Sequence, residues 1–438
     1  MTGFSTLREF IDWLDKKGKL EHVKEQVSRE FEIGLYLKKH GERPTIFENV
    51  KDSNMPVVAG IFTNRELLGD ILGVPSNQIL YKLVEAFDNP AELIREDKPE
   101  ERISVKLSDL PIPKYFEKDG GYYFTAASVI AEDKKTGRRN VSIHRMMYLD
   151  ETHLAIRIVP RHLYEMYQES VVERNEPLKI VICNGAPPAV SIAAASSVPP
   201  NIFELNVASK LMGGLRTYLS PMNKIEVPYG CEILIEGELT SERVAEGPFC
   251  DATGSYDEVR MEPVIEVKSV SVLSNPIFEA LLPAGYEHYT LMGFPQEPRI
   301  YRALKAANIN VQNVYLTPGG AGWLHAVVSI KKKKPKEGKN AIMAAFSGHP
   351  SLKRVVVVDE DIDITDPFSV EWAIAVRTDP LKDIIVYEAA GSTLDLLGRG
   401  NKWGIDATIP YEVRHPVKHQ ELTVDMLSRA KIPGEDDE

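Results

Sequence analysis

The chain has 438 residues, 43% of them hydrophobic and 26% charged, which are ordinary globular values and enough for two or three packed domains. Its 52 lysines and arginines stand against 64 aspartates and glutamates, a net charge of −12. With no long basic stripe and no apolar run of membrane-span length, this argues against a general nucleic-acid binder and a membrane span.

Over residues 5–16, Leu7, Phe10, Ile11 and Leu14 fall at helical spacing and Gly18 supplies a stop. The charges in this stretch fit an amphipathic helix rather than a signal peptide, so a cytoplasmic location is expected. The strands PTIF and MPVVAGIF and helices around 65–73 and 78–94 complete a first α/β unit. The proline-bearing residues 107–121 read as a linker. From about 115 to 300 a strand-rich run with two good helices predicts a β-barrel or curved sheet with inserted helices. From about 297 helix and strand alternate, as in an α/β layer domain. Within it, KKKKPKEGK at 331–339 reads as a solvated loop and PGGAGW at 318–323 as a turn. Cys183, Cys231 and Cys250 support neither a disulfide framework nor a zinc knuckle. Walker, GxGxxG, HExxH and nucleophile-elbow motifs are absent from the sequence.

The candidate chemistry lies in the strand-rich middle. NVSIHRMMYL carries Asn140, Ser142 and Arg145; read as one strand, it points Asn140 and Arg145 to opposite faces unless it is bulged or Asn140 precedes it. AIRIVPRHLYEMY leaves Arg161 and His162 at a helix start, although His162 alone also reads as a capping or core histidine. In NIFELNVASKLMGG, with Asn201 as the expected cap, Glu204 shares an apolar stripe with Ala208 and Leu211, where a carboxylate needs a cation or several donors. Asn140, His162 and Glu204 are acceptable ligands for Mn²⁺ or Mg²⁺. The loop VAEGPFCDATGSYDE sets Glu246 and Asp251 five residues apart. Near one arginine, such carboxylates can split into one ion-paired and one protonated acid; alone, the loop reads equally as an acidic surface.

With these motifs in order, NVSIHR and PRH, ASSVPP before Glu204, EGPFCD, and GNKWGIDAT, the chain resembles the UbiD family of prenylated-FMN-dependent decarboxylases. The resemblance implies an α/β fold of three parts: an N-terminal α/β domain (1–112), a split β-barrel that binds prenylated FMN (113–298) and a C-terminal α/β domain (299–438). It implies that Asn140, His162 and Glu204 hold the Mn²⁺ (or Mg²⁺) that anchors the cofactor phosphate. Thr125, Ser142, Ile143, His144, Arg145 and Arg161 line the flavin, and carbonyls of Ala195, Ser196 and Val198 help hold K⁺. Arg145, Glu246 and Asp251 match the catalytic trio, with Asp251 as proton donor.

The family takes unsaturated or aromatic acids: 4-hydroxy-3-polyprenylbenzoate in bacterial members, cinnamic acids in fungal ones, and trans-anhydromevalonate 5-phosphate in compact archaeal ones. The archaeal reaction, giving isopentenyl phosphate and CO₂ for isoprenoid synthesis, is the expected one, with Arg161, Arg399 and Lys402 as candidate cations for the phosphate, although Arg399 and Lys402 taken singly read as solvated loop charges. Decarboxylation of an aromatic acid and a non-catalytic flavin-binding role are the alternatives. A flavin prenyltransferase supplying the cofactor and a homo-oligomeric state are also expected.

Overall fold

A computed structural model describes residues 3–411 other than 390, 391 and 393, together with residue 413. The expected domain end at 438 lies outside the described residues.

Helix Leu7–Lys16 forms where the spacing predicts it, with Leu7, Phe10, Ile11 and Leu14 buried and Thr6 Oγ1 accepting from the Glu9 amide at 3.1 Å. Thr45–Phe47 pairs in parallel with Glu21–Val23 and antiparallel with Val57–Ala59. A fourth strand of this sheet, Phe278–Glu279, arrives from far along the chain and ties the first unit to the barrel. The helix predicted over 78–94 stops at Asp88, because Asn89 precedes a proline and leaves helical geometry at φ −135° and ψ 64°. Ile94–Arg95 instead pairs with Arg216–Leu219.

Residues 107–121 are not a solvated linker. Leu107, Leu110, Ile112 and Tyr115 belong to the barrel's core cluster, so their apolar surface is buried rather than hydrated. Gly120 closes this segment onto the acidic loop: its amide donates to the Pro248 carbonyl at 2.8 Å, and a Cβ there would lie 2.2 Å from the Gly247 oxygen.

The central sheet runs in the order Tyr123–Phe124, Met146–Asp150, His153–Ile156, Arg260–Val272, Ile233–Glu246, Leu178–Asn184, Ser128–Asp133 and Arg138–Ile143. Arg138–Ile143 and Met146–Asp150 are neighbours in sequence yet lie near opposite ends of that path. The sheet therefore curls into a split barrel, and the chain crosses the split at His144 and Arg145. The single strand predicted over NVSIHRMMYL is two strands, which removes the parity conflict between Asn140 and Arg145. Helix Glu204–Met212 starts at Glu204, with Phe203 in the capping position. Asn201 does not cap it, because the preceding residues close a turn in which the Ile202 amide donates to the Pro199 carbonyl at 2.9 Å. This helix and Pro188–Ala194 share one apolar cluster with the N-terminal helices, through residues such as Leu7, Leu68, Leu83, Val190, Leu205 and Leu211.

The last sheet orders Val311–Leu316, His325–Ile330, Arg354–Asp359, Lys402–Asp406 and Ile384–Tyr387. Glu297–Ala306 and Glu337–Gly348 share an apolar cluster with it, and Pro367–Arg377 packs in a second cluster. Residues 331–336 form a loop, but 337–339 of the loop expected over 331–339 open helix Glu337–Gly348, and Pro318–Gly320 form the expected turn. Among the described residues no helix is long and apolar enough to cross a membrane.

Candidate active site at the barrel split

Arg138–Ile143 is an edge strand, paired only with Ser128–Asp133, so the Val141 amide is free to donate outward. Glu204 Oε2 accepts it at 2.9 Å. Glu204 is only 2% exposed, and burial pushes its carboxyl up against the opposing pull of His162 and the Val141 amide. His162 Nδ1 stands 4.0 Å from Glu204 Oε1, beyond hydrogen-bond reach. Asn140 Nδ2 donates to Ser142 Oγ at 2.8 Å, which leaves Asn140 Oδ1 for another partner. An edge strand and the starts of two helices thus bring Asn140, His162 and Glu204 into one neighbourhood.

The same strand carries a directed chain of hydrogen bonds. Ser142 Oγ meets His144 Nε2 at 2.8 Å, and His144 Nδ1 meets the Arg157 carbonyl at 3.0 Å. A carbonyl only accepts, so Nδ1 carries the ring proton and Nε2 accepts from Ser142. Burial, reinforced by the charge of Arg161, lowers His144 to about 4 against the pull of the Arg157 carbonyl, so the ring is neutral at pH 7. Ile143 packs half-buried against the main apolar cluster. The Thr125 hydroxyl is fully engaged, donating to the Leu281 carbonyl at 2.7 Å and meeting the Leu281 amide and the Tyr115 hydroxyl at 3.1 and 3.0 Å. It joins two segments and offers a ligand no free side-chain atom.

Arg145 crosses the split into an acidic hairpin. Its Nε and Nη2 donate to Glu246 Oε1 and Oε2 at 3.0 and 2.9 Å, a bidentate fork. Its Nη1 donates to Asp251 Oδ2 at 2.6 Å, and Nη2 also reaches Asp257 Oδ2 at 3.3 Å. Side-chain exposure is 8% for Arg145, 0% for Glu246 and 33% for Asp251. Burial opposes the arginine's charge, but Glu246, Asp251 and Asp257 outweigh it and hold the guanidinium above its ordinary value. The Phe249 ring lies 4.6 Å from that guanidinium. Arg145 pairs with both Glu246 and Asp251 rather than with one of them, because its Nε and Nη2 face Glu246 while its Nη1 faces the turn that carries Asp251.

Sequence reading missed three residues of this group. Asp257 joins it because Phe249 pairs with Asp257 across the hairpin, a turn that Gly254 in ATGSY could have signalled. Asp119 is buried and accepts from the Cys250 and Phe116 amides at 3.2 and 3.0 Å, fixing the hairpin's seat. His288 lies close enough for Asp251 and Arg145 to act on it, and burial lowers its imidazole below the ordinary value. The Ala284 amide donates to His288 Nδ1 at 3.1 Å, so Nε2 carries its proton.

Arg161 immediately precedes helix His162–Tyr167, donates to Ser197 Oγ at 3.3 Å and lies over the Trp323 ring at 5.1 Å. The nearby Ala195 carbonyl accepts from Gln296 Nε2 at 3.2 Å, the Ser196 hydroxyl donates to the Ile192 carbonyl at 2.8 Å, and Val198 is buried. Lys402 is not a free cation, because its ammonium donates to the Pro350 and Leu352 carbonyls beside its own strand. Arg399 is exposed to solvent. A separate open cavity is lined by Arg95, Arg139 and Phe203. Both of its arginines are already paired with Glu226.

Residues 11–87, 89–286 and 289–407 match in turn the N-terminal, Rift-related and C-terminal domains of the 3-octaprenyl-4-hydroxybenzoate carboxy-lyases. The chain belongs to the UbiD family. Among UbiD relatives it is 43% identical to the anhydromevalonate phosphate decarboxylase of Methanothermobacter thermautotrophicus, over 92% of this chain and 97% of that one. With the anhydromevalonate phosphate decarboxylase of Methanosarcina mazei it shares 42%, over 92% and 96%. The UbiD-class enzyme HmfF of Pelotomaculum thermopropionicum, solved with FMN, superposes with a TM-score of 0.91 at 37% identity, covering 97% of this chain and 99% of that one. An evolved dimeric form of HmfF solved with prenylated FMN gives 0.89 at 36%, covering 98% and 99%. These likenesses extend the family assignment to the whole architecture, split barrel included.

Proposed function

We propose that this UbiD-family carboxy-lyase decarboxylates trans-anhydromevalonate 5-phosphate to isopentenyl phosphate and CO₂ with prenylated FMN. The observation that carries the reading is the likeness to five anhydromevalonate phosphate decarboxylases at 39–44% identity, each over at least 81% of this chain. The donor set supports a metal-anchored cofactor. Oδ1 of Asn140, Nδ1 of His162 and Oε1 of Glu204 are an N/O set suited to Mn²⁺ or Mg²⁺, and a 4.0 Å gap between the last two is one that a cation with bonds of about 2.1 Å to each can bridge. The Ala195, Ser196 and Val198 carbonyls are the candidate K⁺ ligands, that of Ala195 with one lone pair already taken by Gln296.

When bound, prenylated FMN supplies the electron sink that lets CO₂ leave. The chain's own residues do the rest. Ser142 and the neutral His144 line the slot with fixed dipoles. Arg145, held rigid by Glu246, orients the reacting carboxylate. Asp251, the most accessible of the trio, collects a proton from solvent and delivers it to the carbon left behind. We include in this proposal a homo-oligomeric protein in the cytoplasm, loaded by a flavin prenyltransferase.

A second reading, an aromatic acid, is supported by 30% identity to the phenolic acid decarboxylase of Bacillus subtilis over 93% of both chains. Co-expression with a flavin prenyltransferase, mass spectrometry of the bound cofactor and CO₂ detection with each acid decide between them. Release from the phosphorylated aliphatic acid is expected, and release from 4-hydroxybenzoate alone would replace the first reading with the second. The metal role has its own test: Glu204→Gln should lose metal and flavin together, and a metal-free variant that keeps its flavin would contradict it.

A further inference from the structure

Cations without counter-ions gather where the barrel meets the C-terminal sheet domain. Among the described residues Arg299 has no hydrogen-bond or ion-pair partner, although it sits half-buried in the first turn of helix Glu297–Ala306. Burial lowers its guanidinium below the ordinary value. Among the described residues Arg161 also lacks a carboxylate, its one side-chain hydrogen bond there going to the neutral Ser197 hydroxyl at 3.3 Å. Arg299 packs beside His349 through the backbone, since a Cβ on Gly348 would lie 2.9 Å from the Arg299 carbonyl oxygen, and its charge opposes that of Arg161. Both act on His349, which is 1% exposed and lies edge-on to Trp323 with ring centres 4.5 Å apart. His349 Nε2 is buried with no hydrogen-bond partner among the described residues. The same Trp323 ring carries Arg161 at 5.1 Å.

A folded chain gains nothing by holding two guanidinium groups together over a buried, unsatisfied nitrogen. The arrangement makes sense with an anionic guest that has both charge and hydrogen-bonding oxygens. Arg145 is a poor candidate for a phosphate, since Glu246, Asp251 and Asp257 already offset its charge and one Nη1 hydrogen is all that is left, for the reacting carboxylate.

We propose that Arg161 and Arg299, on the floor made by Trp323 and His349, form the subsite that binds the substrate's phosphomonoester and sets specificity for a phosphorylated acid. Planar guanidinium forks suit phosphate oxygens, and the Trp323 carbonyl draws the ring proton to Nδ1, so the orphan His349 Nε2 is an acceptor that a water held by the phosphate can satisfy. This rests on the phosphorylated-acid reading above. The flavin carries a phosphate of the same chemistry, so the test separates the two sources.

The holoenzyme and its Arg299→Gln variant are titrated with 3-methyl-5-phosphopentanoate, a saturated analogue that cannot react, and assayed with trans-anhydromevalonate 5-phosphate and its dephosphorylated form. Losing one charge-assisted contact should weaken analogue binding and raise KM about ten- to a hundred-fold, with kcat and flavin content unchanged and the dephosphorylated acid unaffected. Arg299→Lys should recover part of the loss. Thermal stability should hold or rise, because the variant relieves repulsion, whereas a structural arginine would lower it. Unchanged analogue binding overturns the proposal, and so does loss of flavin with KM preserved, which would assign the arginines to the cofactor's phosphate. If wild type ignores the phosphorylated acid, the substrate reading falls and the subsite with it. If wild type turns it over and Arg299→Gln matches it, the subsite alone falls.

Discussion

Arg145 and the pair Arg161 and Arg299 place the same guanidinium charge in opposite surroundings. Arg145 has three carboxylates within 3.3 Å, one of them fully buried, whereas Arg161 and Arg299 have no carboxylate partner among the described residues. The first arrangement is complete in itself, and breaking it leaves an uncompensated buried charge. The second is incomplete, and removing a member relieves repulsion. This contrast separates machinery that is preorganised before the substrate arrives from a subsite that the substrate itself neutralises.

The largest effect should come from breaking the complete arrangement. Arg145→Ala strands Glu246 without its cation, which typically costs about 3–5 kcal/mol and should show as a much lower denaturation midpoint together with loss of turnover. An Arg145→Ala protein as stable as wild type would mean that Glu246 is not held as a buried carboxylate.

Asp251→Asn should sharpen the comparison from the catalytic side. It keeps the shape and one hydrogen bond to Arg145 but removes the proton, so turnover should fall by about 10²–10⁴ with flavin retained. Near-normal steady-state rates would remove Asp251 from the mechanism.

Asp257→Asn should have the smallest effect. Its contact with Arg145 is the longest of the three at 3.3 Å, and Arg260 also donates to it, at 2.9 Å. A change of less than about ten-fold in kcat/KM is expected for such a partly exposed pair. A loss as deep as that of Asp251→Asn would make Asp257 an equal member of the acid group.

How far these regions were legible in sequence differs for a physical reason. Asn140, Ser142, Arg145, His162, Glu204, Glu246 and Asp251 stand in motifs whose spacing survives in the primary structure, and each motif maps to one strand end, helix start or hairpin arm. The strand-rich pattern announced a β-barrel or curved sheet, and the split was implied by the family resemblance alone. Asp257 was hidden because only the pairing of Phe249 with Asp257 brings it across the hairpin. Arg299 and His349 were hidden more deeply. Arg299 reads as one charge in an amphipathic helix, and packing of the C-terminal domain against the barrel is what sets it near Arg161. The same packing explains the misreading of Lys402, whose ammonium is consumed by backbone carbonyls that no local pattern announces. Residues 107–121 carry a linker's prolines, yet their apolar side chains fill the barrel.

The central claim is that one cleft binds a carboxylate at Arg145 and a phosphate at Arg161 and Arg299. It is tested most directly by offering the holoenzyme trans-anhydromevalonate 5-phosphate and its dephosphorylated form in one vessel and following the loss of each. Two charge-assisted contacts predict that the phosphorylated acid is consumed first, with kcat/KM higher by about 10²–10⁴. Equal consumption of the two acids would contradict the account.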